Sequence, residues 1–129
     1  MAEEMTKTDR KTILVVEDDE TSFMLLSVFL SQGNYKLLYA ANGQIAMDLF
    51  RENRDIDLIL MDLKMPVVDG YIATRKIREM DKKIPIIAQT AYALAGDSKK
   101  AMDAGCTDYI TKPIKKEILL SKVERLLNN

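Results

Sequence analysis

The sequence predicts one α/β domain, a doubly wound (βα)5 parallel sheet in the strand order 2-1-3-4-5. Three observations predict it. Short apolar runs alternate with longer amphipathic ones along the whole chain. Two of the short runs, ILVV at 13–16 and LILM at 58–61, are apolar at every position, as strands covered on both faces require. The length of 129 residues suits a single core. Right-handed crossovers leave few topologies for such a chain, and this one opens a crevice at the carboxyl ends of the first and third strands.

Residues 1–11, MAEEMTKTDRK, are polar, of mixed charge and without periodicity. They read as a flexible tail or the remnant of a linker, and the domain proper is 12–129. The first strand, TILVV, leads into a helix over 20–31 whose FMLLSVFL segment is apolar but far short of the roughly 20 residues that span a bilayer. KLLYA and a helix over 43–53 follow, with Ile45 and Leu49, and Ala46 and Phe50, placed four apart as a core stripe. DLILM precedes a helix over 70–80, and PIIAQ precedes one over 94–104. Gly96 interrupts that fourth helix, and its face is mostly alanine, with Met102 the main large apolar group after Leu94. TDYIT comes last, before a helix over 115–127 in which Leu120, Val123 and Leu127 form one buried stripe.

Composition removes several function classes. A formal net charge of -1, from 19 basic and 20 acidic residues, provides no global field for nucleic acid or an anionic membrane. The chain is expected to be cytoplasmic, without membrane insertion or direct contact with nucleic acid. Its single cysteine, Cys106, reads as a small buried thiol. Histidine is absent, so carboxylates, lysine, hydroxyls and backbone must perform any chemistry, and the chain cannot itself carry a phosphohistidine.

The residues that end the apolar runs are Glu17 and Asp18 after ILVV, Asp62 after LILM, Thr90 after PIIAQ and Lys112 after YIT. Parallel strands bring all of them to one rim. Each alone reads as a turn former or helix cap. Together, Glu17, Asp18 and Asp62 flank the crevice and repel one another unless a cation relieves them, with Lys112 the evident counter-charge. Hard oxygen ligands suit Mg²⁺, whereas zinc prefers the absent histidine or a cysteine cluster. A carboxylate-held metal, Lys112 and the Thr90 hydroxyl make a receptor for a tetrahedral oxyanion, with Asp62 placed as nucleophile. Phosphoryl transfer relies on positioning and charge neutralisation and needs no general base here.

At these residues the chain resembles the receiver domain of two-component response regulators, over about residues 12–127. The matching segments are VVEDD at 15–19, MDLKMPVVDG at 61–70, QTA at 89–91 and DYITKPI at 108–114. The resemblance implies a flavodoxin-like fold and Mg²⁺-dependent transfer of a phosphoryl group from a partner phosphohistidine to Asp62, the phosphoacceptor. It implies Asp18 and Asp62 as metal ligands, Glu17 as a partner of the metal through water, and the backbone carbonyl of Lys64 as a further ligand. Lys112 would contact the phosphoryl group, and the Lys112–Pro113 peptide would be cis. Thr90 and Tyr109 would form the switch, reported by the face of the fourth helix, fifth strand and fifth helix, through which a homodimer is one arrangement. Tyr109 also has a plainer reading, as an aromatic packing on the last strand.

The implied partner is a histidine kinase or a histidine phosphotransfer domain, docking at the first helix, and the chain is no enzyme beyond its own phosphorylation and dephosphorylation. PIIAQTAYALAGD and GCTDYITKPI look most like receivers of hybrid sensor histidine kinases, so an excised segment and a stand-alone regulator both stay open. Lys64 and Tyr92, both large, are expected to overhang the phosphoryl group and slow its hydrolysis, unless both point into solvent. Two further readings are a phosphatase of the haloacid dehalogenase type, against which Lys64 stands where a second Asp is wanted, and a non-phosphorylated scaffold. A flavin binder fits less well, since EDDE would repel the cofactor phosphate.

Overall fold

The computed structural model describes residues 10–65, 68–91 and 96–128. Its elements run β1 Lys11–Val16, α1 Glu20–Leu30, β2 Tyr35–Ala40, α2 Gly43–Glu52, β3 Leu58–Asp62, α3 Gly70–Met80, β4 Ile86–Thr90, α4 Asp97–Ala104, β5 Asp108–Thr111 and α5 Lys116–Leu127. The five strands form one parallel sheet in the order β2-β1-β3-β4-β5, as the alternation predicts.

Helices cover both faces. Alternation along each strand sends Leu14, Val16, Ile59, Met61, Ile86 and Ala88 to one side, where Ala46, Phe50, Ala73, Ile77 and Ala101 from α2, α3 and α4 meet them. Ile13, Val15, Leu58, Leu60 and Ile87 face the other, against Leu26 and Leu30 of α1 and Leu119 and Val123 of α5. β1 and β3 are sandwiched and almost fully buried, whereas β2 and β5 lie at the edges and are partly exposed.

The strand boundaries differ from those the sequence predicts. β1 begins at Lys11, which pairs with Tyr35, one residue before the expected domain start. Asp62 and Thr90 are the last residues of their strands rather than the first residues beyond them, because the ladder continues to pair Asp62 with Gln89 and Thr90 with Thr111. Residues 92–95, including the expected start of the fourth helix and Tyr92, lie outside the described residues, and α4 follows the left-handed Gly96.

Two expected core stripes are corrected. Ile45 is 39% exposed and Met102 46%, so α2 rests on Ala46, Met47 and Phe50, and α4 on Ala101 and Ala104. The small side chains of α4 face the core, and its one large apolar group, Met102, is left exposed. Cys106 is buried, as expected, 3.8 Å from the Thr74 hydroxyl, and burial pushes its thiol pKa up.

Candidate active site

The four acids after β1 divide their tasks. Glu17 donates its backbone N–H to the Ala40 carbonyl at 3.0 Å, and its side chain is buried. Asp18 is exposed. Asp19 is the N-cap of α1, accepting from the Ser22 N–H at 3.3 Å and the Ser22 hydroxyl at 2.7 Å. Glu20 lies in the first helical turn, where the helix dipole favours a negative charge. Half of the acidic run therefore starts a helix and half faces the crevice.

Across the crevice, Asp62 is buried at the end of β3, and one of its carboxylate oxygens accepts from the Lys64 N–H at 3.2 Å. The turn after it is drawn against the start of α3, with the Gly70 N–H donating to the Leu63 carbonyl at 3.1 Å. There is no room for a side chain at Gly70: a Cβ would run into the Asp62 carbonyl and lie 2.6 Å from Leu63 Cα. The sequence shows this glycine as part of a motif but not its close approach to the Asp62 and Leu63 backbone.

One carboxylate oxygen from each of Glu17, Asp18 and Asp62 lies within 4.8 Å of the others. Lys112 reaches the group from the β5–α5 connection, its ammonium 3.5 Å from Asp62 and 3.7 Å from Glu17. Burial pushes the Glu17 carboxyl up to about 7; Asp62 reinforces the shift and Lys112 opposes it. One Glu17 oxygen is buried without a hydrogen-bond partner among the described residues. A crowded set of carboxylate oxygens, one of them without a hydrogen bond and ion-paired to Lys112 only at 3.7 Å, fits a hard divalent cation.

The other wall of the crevice comes from β4 and β5. Thr90 is buried at the end of β4, and its carbonyl accepts from the Lys112 N–H at 2.8 Å, tying the lysine's backbone to the strand. The Lys112–Pro113 peptide is cis. Tyr109 is half-buried against the α2, α3 and α4 side of the core, with the Lys122 ammonium 5.5 Å from its ring centroid. Asp108 beside it is bound by Lys122 at 2.9 Å and Arg125 at 2.7 Å. Burial pushes the Asp108 carboxyl up, yet these partners and the Tyr109 N–H outweigh it and hold the pKa below the ordinary value. Lys64 is exposed.

A family model described as the response regulator receiver domain matches residues 13–124. A polar-differentiation response regulator, DivK, of Brucella anthropi is 40% identical over 106 residues, 81% of this chain and 85% of that protein. The hybrid signal transduction histidine kinase I of Dictyostelium discoideum is 37% identical over an alignment of 115 residues that covers 83% of this chain but 7% of the kinase. Among solved structures, the receiver domain of sensor histidine kinase PA1611 from Pseudomonas aeruginosa, with a magnesium ion coordinated in its active-site cleft, has TM-score 0.87 and 37% identity, covering 93% of this chain and 99% of that one. The receiver domain of Ssk1 from Saccharomyces cerevisiae, crystallised with the histidine phosphotransfer protein Ypd1, matches with TM-score 0.85 and 32% identity, covering 92% of this chain and 89% of that chain.

Proposed function

The chain belongs to the family of response regulator receiver domains, and from that premise we propose that it is the phosphoacceptor of a two-component phosphorelay, with Asp62 as the acceptor. The observation that supports this most is the buried Asp62 carboxylate, 3.5 Å from the Lys112 ammonium and clustered with Glu17 and Asp18 where the strand order reverses.

In this reading an Asp62 carboxylate oxygen attacks the phosphorus of a partner's phosphohistidine. A P–O bond forms as the P–N bond breaks, and the imidazole leaves with the bonding electron pair and recovers a proton. The Lys112 ammonium, freed from its carboxylate contacts, turns to the phosphoryl oxygens. Mg²⁺, when bound, supplies charge neutralisation at those oxygens. Asp18 and Asp62 would hold it directly, Glu17 through water, and the Lys64 carbonyl would complete the protein's share. The receiver of PA1611, with magnesium in its cleft, supports that assignment by likeness.

The Thr90 hydroxyl then moves toward the new acceptor oxygens and Tyr109 turns inward behind it, so that the face of α4, β5 and α5 reports the change. The donor is a histidine kinase or histidine phosphotransfer domain, in keeping with the complex of the Ssk1 receiver with Ypd1. The chain contains no histidine and cannot be its own donor. It acts in the cytoplasm, as the signalling target rather than a turnover enzyme, and the α4, β5 and α5 face could pair two copies. Among the described residues no helix is long and apolar enough to cross a membrane.

Incubation with acetyl phosphate and Mg²⁺, followed by intact-mass spectrometry, tests the assignment. Wild type is expected to gain one phosphoryl group and Asp62→Ala none; equal labelling of the two would remove Asp62 from the role.

A further inference from the structure

Lys122 of α5 reaches round the open edge of the sheet. α5 packs on the side of Ile110, whereas Tyr109 lies on the opposite side, against the α2, α3 and α4 core. β5 is an edge strand, and side chains take both backbone groups of Tyr109: its N–H donates to Asp108 at 2.7 Å, and its carbonyl accepts from the Lys122 ammonium at 3.0 Å. The same ammonium is 2.9 Å from the Asp108 carboxylate and 5.5 Å from the Tyr109 ring centroid. Arg125 holds the other Asp108 oxygen at 2.7 Å. One cation from α5 thus meets the backbone, the acid and the aromatic ring of the last strand together.

We propose that Lys122 is a positioning residue for Tyr109, a latch that favours the ring position of the unphosphorylated chain and opposes its turn inward. The latch rests on the reading of Thr90 and Tyr109 as a switch, and it sets the balance between that switch's two arrangements. Of the three contacts, only the one to the ring sets that balance. The Tyr109 carbonyl and the Asp108 carboxylate are groups that rotation of the ring leaves in place, so they hold the ammonium without favouring either ring position. The ring contact exists in one position alone, and only a difference between two states shifts their equilibrium. A lysine over a tyrosine face at a partly exposed site favours that arrangement by about two- to fivefold. Asp108, itself held by Arg125, fixes the ammonium in advance, so little side-chain freedom is lost when the ring lies against it.

Beryllofluoride, which stands in for a phosphoryl group on a carboxylate, tests the latch when titrated into the full chain with Mg²⁺. Lys122→Met keeps the aliphatic stem and leaves Asp108 to Arg125. It is expected to bind about two- to fivefold more tightly than wild type, because the inward ring no longer forfeits a contact. Loss of a cation by itself would weaken the binding of an anion, so tightening is a signature that general charge does not give. Lys122→Arg, which keeps a cation over the ring, should match wild type. In Tyr109→Leu, with no ring to latch, Lys122→Met should not tighten binding. A second readout needs neither metal nor Asp62: with fluorotyrosine incorporated, a neutral soluble gadolinium chelate should relax the Tyr109 ¹⁹F signal less in Lys122→Met than in wild type. Unchanged relaxation, or beryllofluoride affinity no higher than that of wild type, would overturn the latch. Wild type that binds no beryllofluoride speaks instead against the Asp62 assignment, and relaxation then decides the latch alone. If Lys122→Met does not fold, Lys122→Gln, neutral and still a donor, takes its place in both measurements.

Discussion

The half of the molecule built on β1, β2 and β3 differs from the half built on β4 and β5 in how its helices begin. Asp19, Asn42 and Asp69 each accept a hydrogen bond from the backbone N–H three residues on, capping α1, α2 and α3. Gly96 before α4 and Lys115 before α5 make no side-chain cap bond. The acid cluster thus sits where every helix start is locally tied, at roughly 1 kcal/mol per cap. The proposed switch residues sit where helix starts lack that support. Chemistry needs carboxylates held in one geometry, whereas a response needs two arrangements close in free energy.

Glycines give the strongest way to break that contrast. At Gly70 a methyl would meet the Asp62 and Leu63 backbone, which cannot swing aside, so Gly70→Ala should cost about 3 kcal/mol in urea unfolding. At Gly96 none of the described residues comes within 4 Å of an added Cβ, and the positive φ of 82° is what opposes a side chain. Gly96→Ala should cost no more than about 1–2 kcal/mol. Equal losses would mean that the two halves are equally constrained.

Acid titration sharpens the comparison within the tied half. Folded Glu17 keeps its proton up to about 7, while the unfolded chain releases it near 4.5. Between these values the folded state binds more protons, so stability falls as pH rises through that window. The metal-free protein should lose about 3 kcal/mol between pH 4.5 and pH 7, by the size of the shift. Glu17→Gln should flatten this slope, and millimolar Mg²⁺ at neutral pH should oppose the loss. A pH-independent unfolding midpoint across the window would show that Glu17 is not under this strain.

The smallest effects concern the caps themselves. Asn42→Ala should destabilise by about 1 kcal/mol. Lys115 has extended backbone angles, φ -96° and ψ 132°, that suit a capping side chain. Lys115→Asp should therefore stabilise by roughly 0.5–1 kcal/mol. If chemical denaturation shows no gain there, the missing caps do not account for the difference between the halves.

The fold and the acid cluster were largely legible in the chain, whereas the contrast in helix caps was not. Fully apolar ILVV and LILM announced the central strands, and the residues ending each run placed Glu17, Asp18, Asp62, Thr90 and Lys112 on one rim. Less legible was the last residue of each strand, because Asp62 and Thr90 join the ladder through backbone pairing that polarity does not reveal. The division of EDDE into site and helix start depends on the Ser22 hydroxyl, three residues beyond Asp19. Met102 and Ile45 misled because helical spacing marks a stripe, and the neighbouring element decides how wide a stripe is covered. Gln89 had a visible signal, a carboxamide following the apolar IIA of its strand, whose lack of a hydrogen-bond partner among the described residues only three-dimensional packing exposes.

The central claim is that a partner's phosphohistidine hands its phosphoryl group to Asp62. Borohydride reduces an acyl phosphate to the alcohol, so treating the chain after incubation with a phosphorylated histidine phosphotransfer domain and Mg²⁺ leaves a permanent mark at the acceptor. Peptide mapping is expected to find homoserine at position 62 and at no other acid. Homoserine at Asp18 or Glu17, or an unmarked chain with the donor still fully phosphorylated, would contradict the account.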